Sequence, residues 1–178
     1  MGKINYVQGP PGLQSEGITA GSFAELAEIG IEHVRRMGNN VEVVCGPIST
    51  GGLGSSEKNF EVLVGAIRAF KTMGHNLFDQ SPFEFGLGKL RQKWEAEHPD
   101  DTGYCMPILT EFYGPVFETG LIRTAWFIPG WQSSFGASWE HDKMIRQEIE
   151  IRYLSPEWIE HLLTGKEPIR PILLDRAV

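Results

Sequence analysis

The chain has 178 residues, 41% of them apolar and 22% charged, which suits one globular domain with a substantial core and length left over for loops. Its net charge of -7 and pI near 5.2, with Arg35-Arg36 as the densest basic pair, argue against duplex nucleic acid as a partner, because phosphate neutralisation needs a Lys/Arg surface. Its two cysteines, Cys45 and Cys105, cannot build a disulfide framework or a CxxC zinc site, and no apolar run approaches the ~20 residues of a bilayer span.

In chain order, residues 4–8 read as a short strand and residues 9–21 as a Gly/Pro-rich loop. Ser22 with Glu25 three residues later has the form of a capping box, and the stripe Phe23, Leu26, Ala27, Val34 predicts a helix to about Met37, ended by Gly38. Val41–Cys45, VEVVC, predicts a strand. A loop of small residues, GPISTGGLGSS, leads to a helix capped by Ser55 or Ser56, with Phe60, Leu63, Val64, Ile67 and Phe70 at helical spacing. Residues 75–79, HNLFD, read as the next strand, which makes a βαβ unit. A helix follows over 85–94. Residues 107–118 are ambiguous, with a helix broken at Pro115 favoured. Residues 121–128 predict a buried strand, 135–147 a helix, 148–153 an alternating strand and 156–163 a terminal helix before an extended tail.

Strands alternating with helices predict an α/β domain: a flavodoxin/Rossmann-like three-layer sandwich with a five-stranded, mostly parallel sheet. Residues 41–153 form its core, 1–40 an N-terminal extension and 154–178 a C-terminal helix and tail. The N-terminus lacks the basic-then-apolar layout of a signal peptide, so the expectation is a cytoplasmic protein that does not engage a membrane.

Ligands of such sheets lie beyond the carboxyl ends of the strands. Two loops leave strand ends and run into helix starts, GPISTGGLGSS and PGWQSSFGA. Small residues let backbone approach a ligand, and a helix start offers free N–H groups to an anion. The same Ser residues also read as ordinary N-caps. Glu140, six residues after Ser134, falls one turn into the helix. Its carboxylate suits a nucleophile or general base, and equally a first-turn complement to the helix dipole. Trp131 suits stacking on a base or ring as well as a pocket wall. His141 reads as structural or rim, and Cys45 as a small buried hydrophobe. The first loop departs from the P-loop, with Gly52-Leu53 where Lys-Ser/Thr belongs, and no G-x-G-x-x-G follows the strand. No histidines pair at metal-ligand spacing, so neither a metal nor another cofactor is implied.

The run Gly130-Trp131, Ser134, Gly136-Ala137 and Glu140 has the form GW-x-x-S-x-GA-x-x-E. With Gly46-Pro47, Gly51-Gly52 and Asn59 upstream, it resembles the nucleoside 2-deoxyribosyltransferase-like superfamily, in particular its small phage and bacterial branch. The resemblance covers roughly residues 41–153. It implies a nucleotide or nucleoside ligand, cleavage of its N-glycosidic bond, and attack of Glu140 on C1′. Ser134 and Gly136 match the spacing of a 5′-phosphate site, which favours a nucleoside 5′-monophosphate. Gly46, Pro47, Gly51, Gly52, Asn59, Trp131 and Ala137 complete the implied binding set. An Asp that serves the leaving base in the family has no counterpart between Asp101 and Asp142; Glu118, Glu111 and Asp79 are the candidates to replace it, with Glu118 favoured. A homo-oligomer is implied, since many relatives complete each other's sites. The alternative is a nucleotide-binding module that uses the same cleft without cleaving its ligand.

Overall fold

The computed structural model describes residues 17–49, 51–52, 54–164, 171 and 173–174. The strand predicted at 4–8 lies outside the described residues. The chain forms α1 (Phe23–Met37), β1 (Val41–Cys45), α2 (Ser56–Thr72), α3 (Glu84–Glu97), a π-type turn (Ile108–Tyr113) running into α4 (Gly114–Phe117), β2 (Ile122–Phe127), α5 (Phe135–Arg146), β3 (Glu150–Leu154), α6 (Pro156–Leu163) and β4 (Leu173–Leu174).

Capping chemistry sets the helix starts. Ser22, Ser55, Ser134 and Ser155 each accept a bond from the backbone N–H three residues on, supplying a partner that the first turn otherwise lacks. At α1 the Glu25 carboxylate reaches back to the N–H of Gly21 at 2.8 Å, one residue before the cap. Gly38 leaves α1 at φ 80°, a left-handed conformation that glycine adopts without Cβ strain.

The sheet runs β1-β2-β3-β4, with β1, β2 and β3 parallel and β4 antiparallel to β3. Alternation along the strands divides the core in two. Val41, Val43, Cys45, Ala125 and Phe127 face one cluster with residues of α1, α3, α4, the π-type turn and α5. Val44, Trp126, Ile128 and Leu154 face the other, with α2 and α6. The architecture is therefore α/β, with helices on both faces of a mainly parallel sheet.

Among the described residues, three parallel strands stand where five were expected. HNLFD contributes a single parallel bridge, Leu77 to Glu42. Glu42 N–H donates to Asn76 O at 2.9 Å and Phe78 N–H to Glu42 O at 2.8 Å, and the ladder stops there. Beyond it the Gln80 side chain takes over, with Nε2 donating to Val44 O at 2.8 Å, while Asp79 turns to accept from Ser81. Side-chain bonds satisfy the edge of β1 where a full strand was expected.

The Glu42 side chain anchors this edge. Its Oε2 accepts from Trp126 Nε1 at 2.6 Å and lies 2.9 Å from His75 Nδ1. We predict that Glu42→Ala strands the buried indole N–H of Trp126 and lowers stability by about 1–3 kcal/mol. A fall in the urea midpoint at unchanged m-value is the expected reading; an unchanged midpoint contradicts it.

The helix expected to break at Pro115 runs through. Pro115 has no N–H to donate, and a wide turn precedes it in which Gly114 N–H donates to Leu109 O, a five-residue reach. A Cβ on Gly114 would stand 3.1 Å from that same carbonyl, so glycine suits the wide turn.

Candidate functional site

The bridge at Leu77 lies on one edge of β1 and β2 pairs on the other, so the chain reverses its direction of progress across the sheet at β1/β2. Ligands of open α/β sheets sit at such a switch point, outside the strands' carboxyl ends. Cys45 and Phe127 pair there, and both small-residue loops leave from them.

The loops are tied together. Ser133 Oγ accepts from Gly52 N–H at 2.8 Å and donates to Gly130 O at 2.6 Å. Buried Asn59, in the first turn of α2, donates to Ile48 O at 3.3 Å and Gly51 O at 3.0 Å. Gly51 and Gly52 have φ of 69° and 66°, and a Cβ on Gly51 would stand 2.3 Å from Ser133 Oγ. Gly51, Gly52 and Asn59 thus fix the loop's path. Asn59→Ala removes both carbonyl partners and is expected to cost about 1–3 kcal/mol, seen as a lower melting temperature.

A cleft opens on the α3 side of these loops. Gly46, Ile48 and Ser49 form one wall, and Ser134, Gly136, Ala137 and Glu140 of α5 form another. Glu84, Leu87, Gly88 and Arg91 of α3 face them, with Tyr104, Ile108, Leu109 and Tyr113 closing the far side. The four α3 residues fall at i, i+3, i+4 and i+7, one face of a helix. The π-type turn carries Ile108, Leu109 and Tyr113 into the cleft.

Glu140 is 7% exposed. Burial pushes its carboxyl up to about 8; a hydrogen bond from the Cys45 thiol opposes the rise, and Glu84 adds to it. Burial lifts Glu84 to about 7, against the pull of Tyr113, whose hydroxyl donates to Glu84 Oε1 at 2.9 Å. Burial, then the charge of Glu140, also raises the Cys45 thiol well above its ordinary value. Two carboxyls thus share one cleft, and the charge of Glu84 is felt at Glu140.

Of the residues expected at the site, Gly46, Ser134, Gly136, Ala137 and Glu140 line the cleft. Pro47, Gly52 and Asn59 face a second, more apolar hollow of ≈ 200 Å³ against α6. Trp131 stacks on His141 at 4.1 Å and lies outside the cleft lining. His141 Nε2 lies 2.7 Å from the Tyr153 hydroxyl, and burial lowers its pKa. Glu118 is exposed, paired with Lys143 and away from the cleft. Glu111 is exposed, and Asp79 pairs with Lys71 at 2.6 Å. Glu84 is thus the second acid of the cleft. Sequence reasoning passed over it because the predicted helix began at Phe85 and left Glu84 outside; the signal was the α3 face that joins it to Gly88 and Arg91. Among the described residues, no three His, Cys, Asp or Glu side chains are grouped to hold a metal ion, and no helix is long and apolar enough to cross a membrane.

Fold and cleft together define the class: an α/β protein with a parallel sheet and an acidic cleft at its switch point. Comparison of the chain with protein-family models, curated proteins and solved structures gave no match.

Proposed function

We propose that the protein cleaves the N-glycosidic bond of a nucleoside 5′-monophosphate or nucleoside, with Glu140 attacking C1′ and Glu84 handling the proton of the leaving base. The observation that carries this reading is the pairing of buried Glu140 with Glu84 in one cleft at the switch point. Glycosidic cleavage with retention needs one ionised and one protonated carboxyl. With Glu140 at about 8 and Glu84 at about 7, the resting proton sits chiefly on Glu140, so the attack requires that proton to pass to Glu84 when substrate binds. The Cys45 thiol favours charge on Glu140, as the Tyr113 hydroxyl does on Glu84. Ser134 and the first-turn N–H groups of α5, with Arg91 across the cleft, suit the phosphate.

In balanced form, the Glu140 carboxylate forms a bond to C1′ as the C1′–N bond breaks. Its electron pair leaves with the base, which takes a proton from Glu84. Water then attacks C1′ and gives a proton to Glu84, releasing the sugar phosphate from Glu140; a second base in place of water makes the reaction a transfer.

Burial of Glu140 supports a second reading: with its carboxyl raised to about 8, Glu140 is protonated at neutral pH and suited to hydrogen-bonding a ligand without attacking it. Incubation with a panel of ribo- and deoxyribonucleoside monophosphates, with chromatography for free base, tests the choice. Base release supports the glycosidase. Thermal stabilisation by a nucleotide with no base released supports the binding module.

A further inference from the structure

The cleft is open to solvent on one side, and the free room within its lining measures ≈ 50 Å³. Small-molecule pockets run from roughly 300 Å³ upward, so this space holds a few waters and no nucleoside. A ligand that is to touch the buried Glu140 carboxyl needs more room than this lining leaves.

The loop wall is held by Asn59 and by the Gly52–Ser133 bond. The α3, α5 and π-turn linings belong to helical backbone. Tyr104 is the exception. It follows a coil segment, in which Asp101 Oδ1 accepts from Gly103 N–H at 2.8 Å, and precedes the helical residues that begin at 106. Its ring rests on Phe135, at 5.0 Å between centroids, and Phe135 is itself 54% exposed. A Cβ on Gly136 would stand 2.9 Å from the Tyr104 hydroxyl, so that hydroxyl lies over the first turn of α5, where an anion would seat.

We infer that Tyr104 is the gate of the cleft: its ring closes the mouth against Phe135, and its swing away from Gly136 opens the way to Glu140 and the α5 N-terminus together. Glycine at 136 keeps the closed position free of a clash. The inference rests on the reading of this cleft as the ligand site, yet its test needs no ligand.

The probe is a water-soluble carbodiimide with an amine, applied to the full chain at mildly acidic pH. Labelling of Glu140 is followed by peptide mass spectrometry, with exposed Glu118 as the internal reference. A gate that opens a minor fraction of the time slows labelling by that fraction, so Tyr104→Ala is expected to speed it about tenfold or more. Phe135→Ala, which removes the ring that Tyr104 rests on, moves it in the same direction, and Tyr104→Phe, which keeps the ring, changes the rate less than Tyr104→Ala does. Wild-type labelling of Glu140 in both alanine variants, with near-UV circular dichroism intact, overturns the gate. Faster labelling with no base released from any nucleotide keeps the gate and removes the glycosidase.

Discussion

Glu140→Gln is expected to lower base release from a nucleoside monophosphate by about 10³-fold or more, equivalent to ~4 kcal/mol of barrier, while leaving nucleotide-induced thermal stabilisation within a few-fold of wild type. Gln keeps the shape of the protonated acid and cannot form the bond to C1′. The contrast with Glu84→Gln sharpens the assignment. Loss of a proton donor costs about 10²–10⁴-fold, and the deficit narrows on substrates whose leaving group needs no proton. A nucleophile variant gains nothing from a better leaving group. Wild-type turnover in Glu140→Gln removes Glu140 from the chemistry, and turnover lost equally in Glu118→Gln, an exposed residue outside the cleft, points to a different site.

The same two carboxyls are expected to tilt stability against pH. Both have folded-state values raised above the ordinary value near 4.5, to about 8 for Glu140 and about 7 for Glu84. Between 4.5 and 8 the folded chain holds protons that the unfolded chain has released, so stability falls as pH rises through this window. Below it both states are protonated and the effect vanishes. Glu84 is only half-buried, which keeps the sum to a few kcal/mol; for a chain of this length that lowers the melting temperature by about 4–10 °C between pH 5 and 8.5. Glu140→Gln is expected to flatten that slope and to melt higher than wild type at pH 8.5, trading activity for stability. A parallel fall in both proteins would show that Glu140 is ionised in the fold at neutral pH.

These expectations depend on features read at different levels. Serine caps, the glycine stop after α1 and the VEVVC strand were legible in the sequence, because each rests on contacts within a few residues. So was the position of the two loops at strand ends, with Gly46 on the first, Ser134 closing the second, and Gly136, Ala137 and Glu140 in the helix that follows. HNLFD has strand composition, yet its pairing was decided by long-range bonds: Asn76 and Gln80 serve the edge of β1, and Glu42 meets His75 across 33 residues and Trp126 across 84. Pro115 forecasts a break in any isolated helix; here the turn over Ile108–Tyr113 widens and absorbs the missing donor.

The sequence by itself determined an acidic α/β chain whose small-residue loops lead into capped helices, since propensity, capping and periodicity are local properties. Only the tertiary structure decided what surrounds Glu140. It brought Glu84, Arg91, Tyr104 and Tyr113 to the cleft from positions 27 to 56 residues upstream, and it turned Trp131 towards His141 and left Glu118 in solvent. The physical reason is that a carboxyl's proton affinity depends on desolvation and on charges across space, and neither is written along the chain.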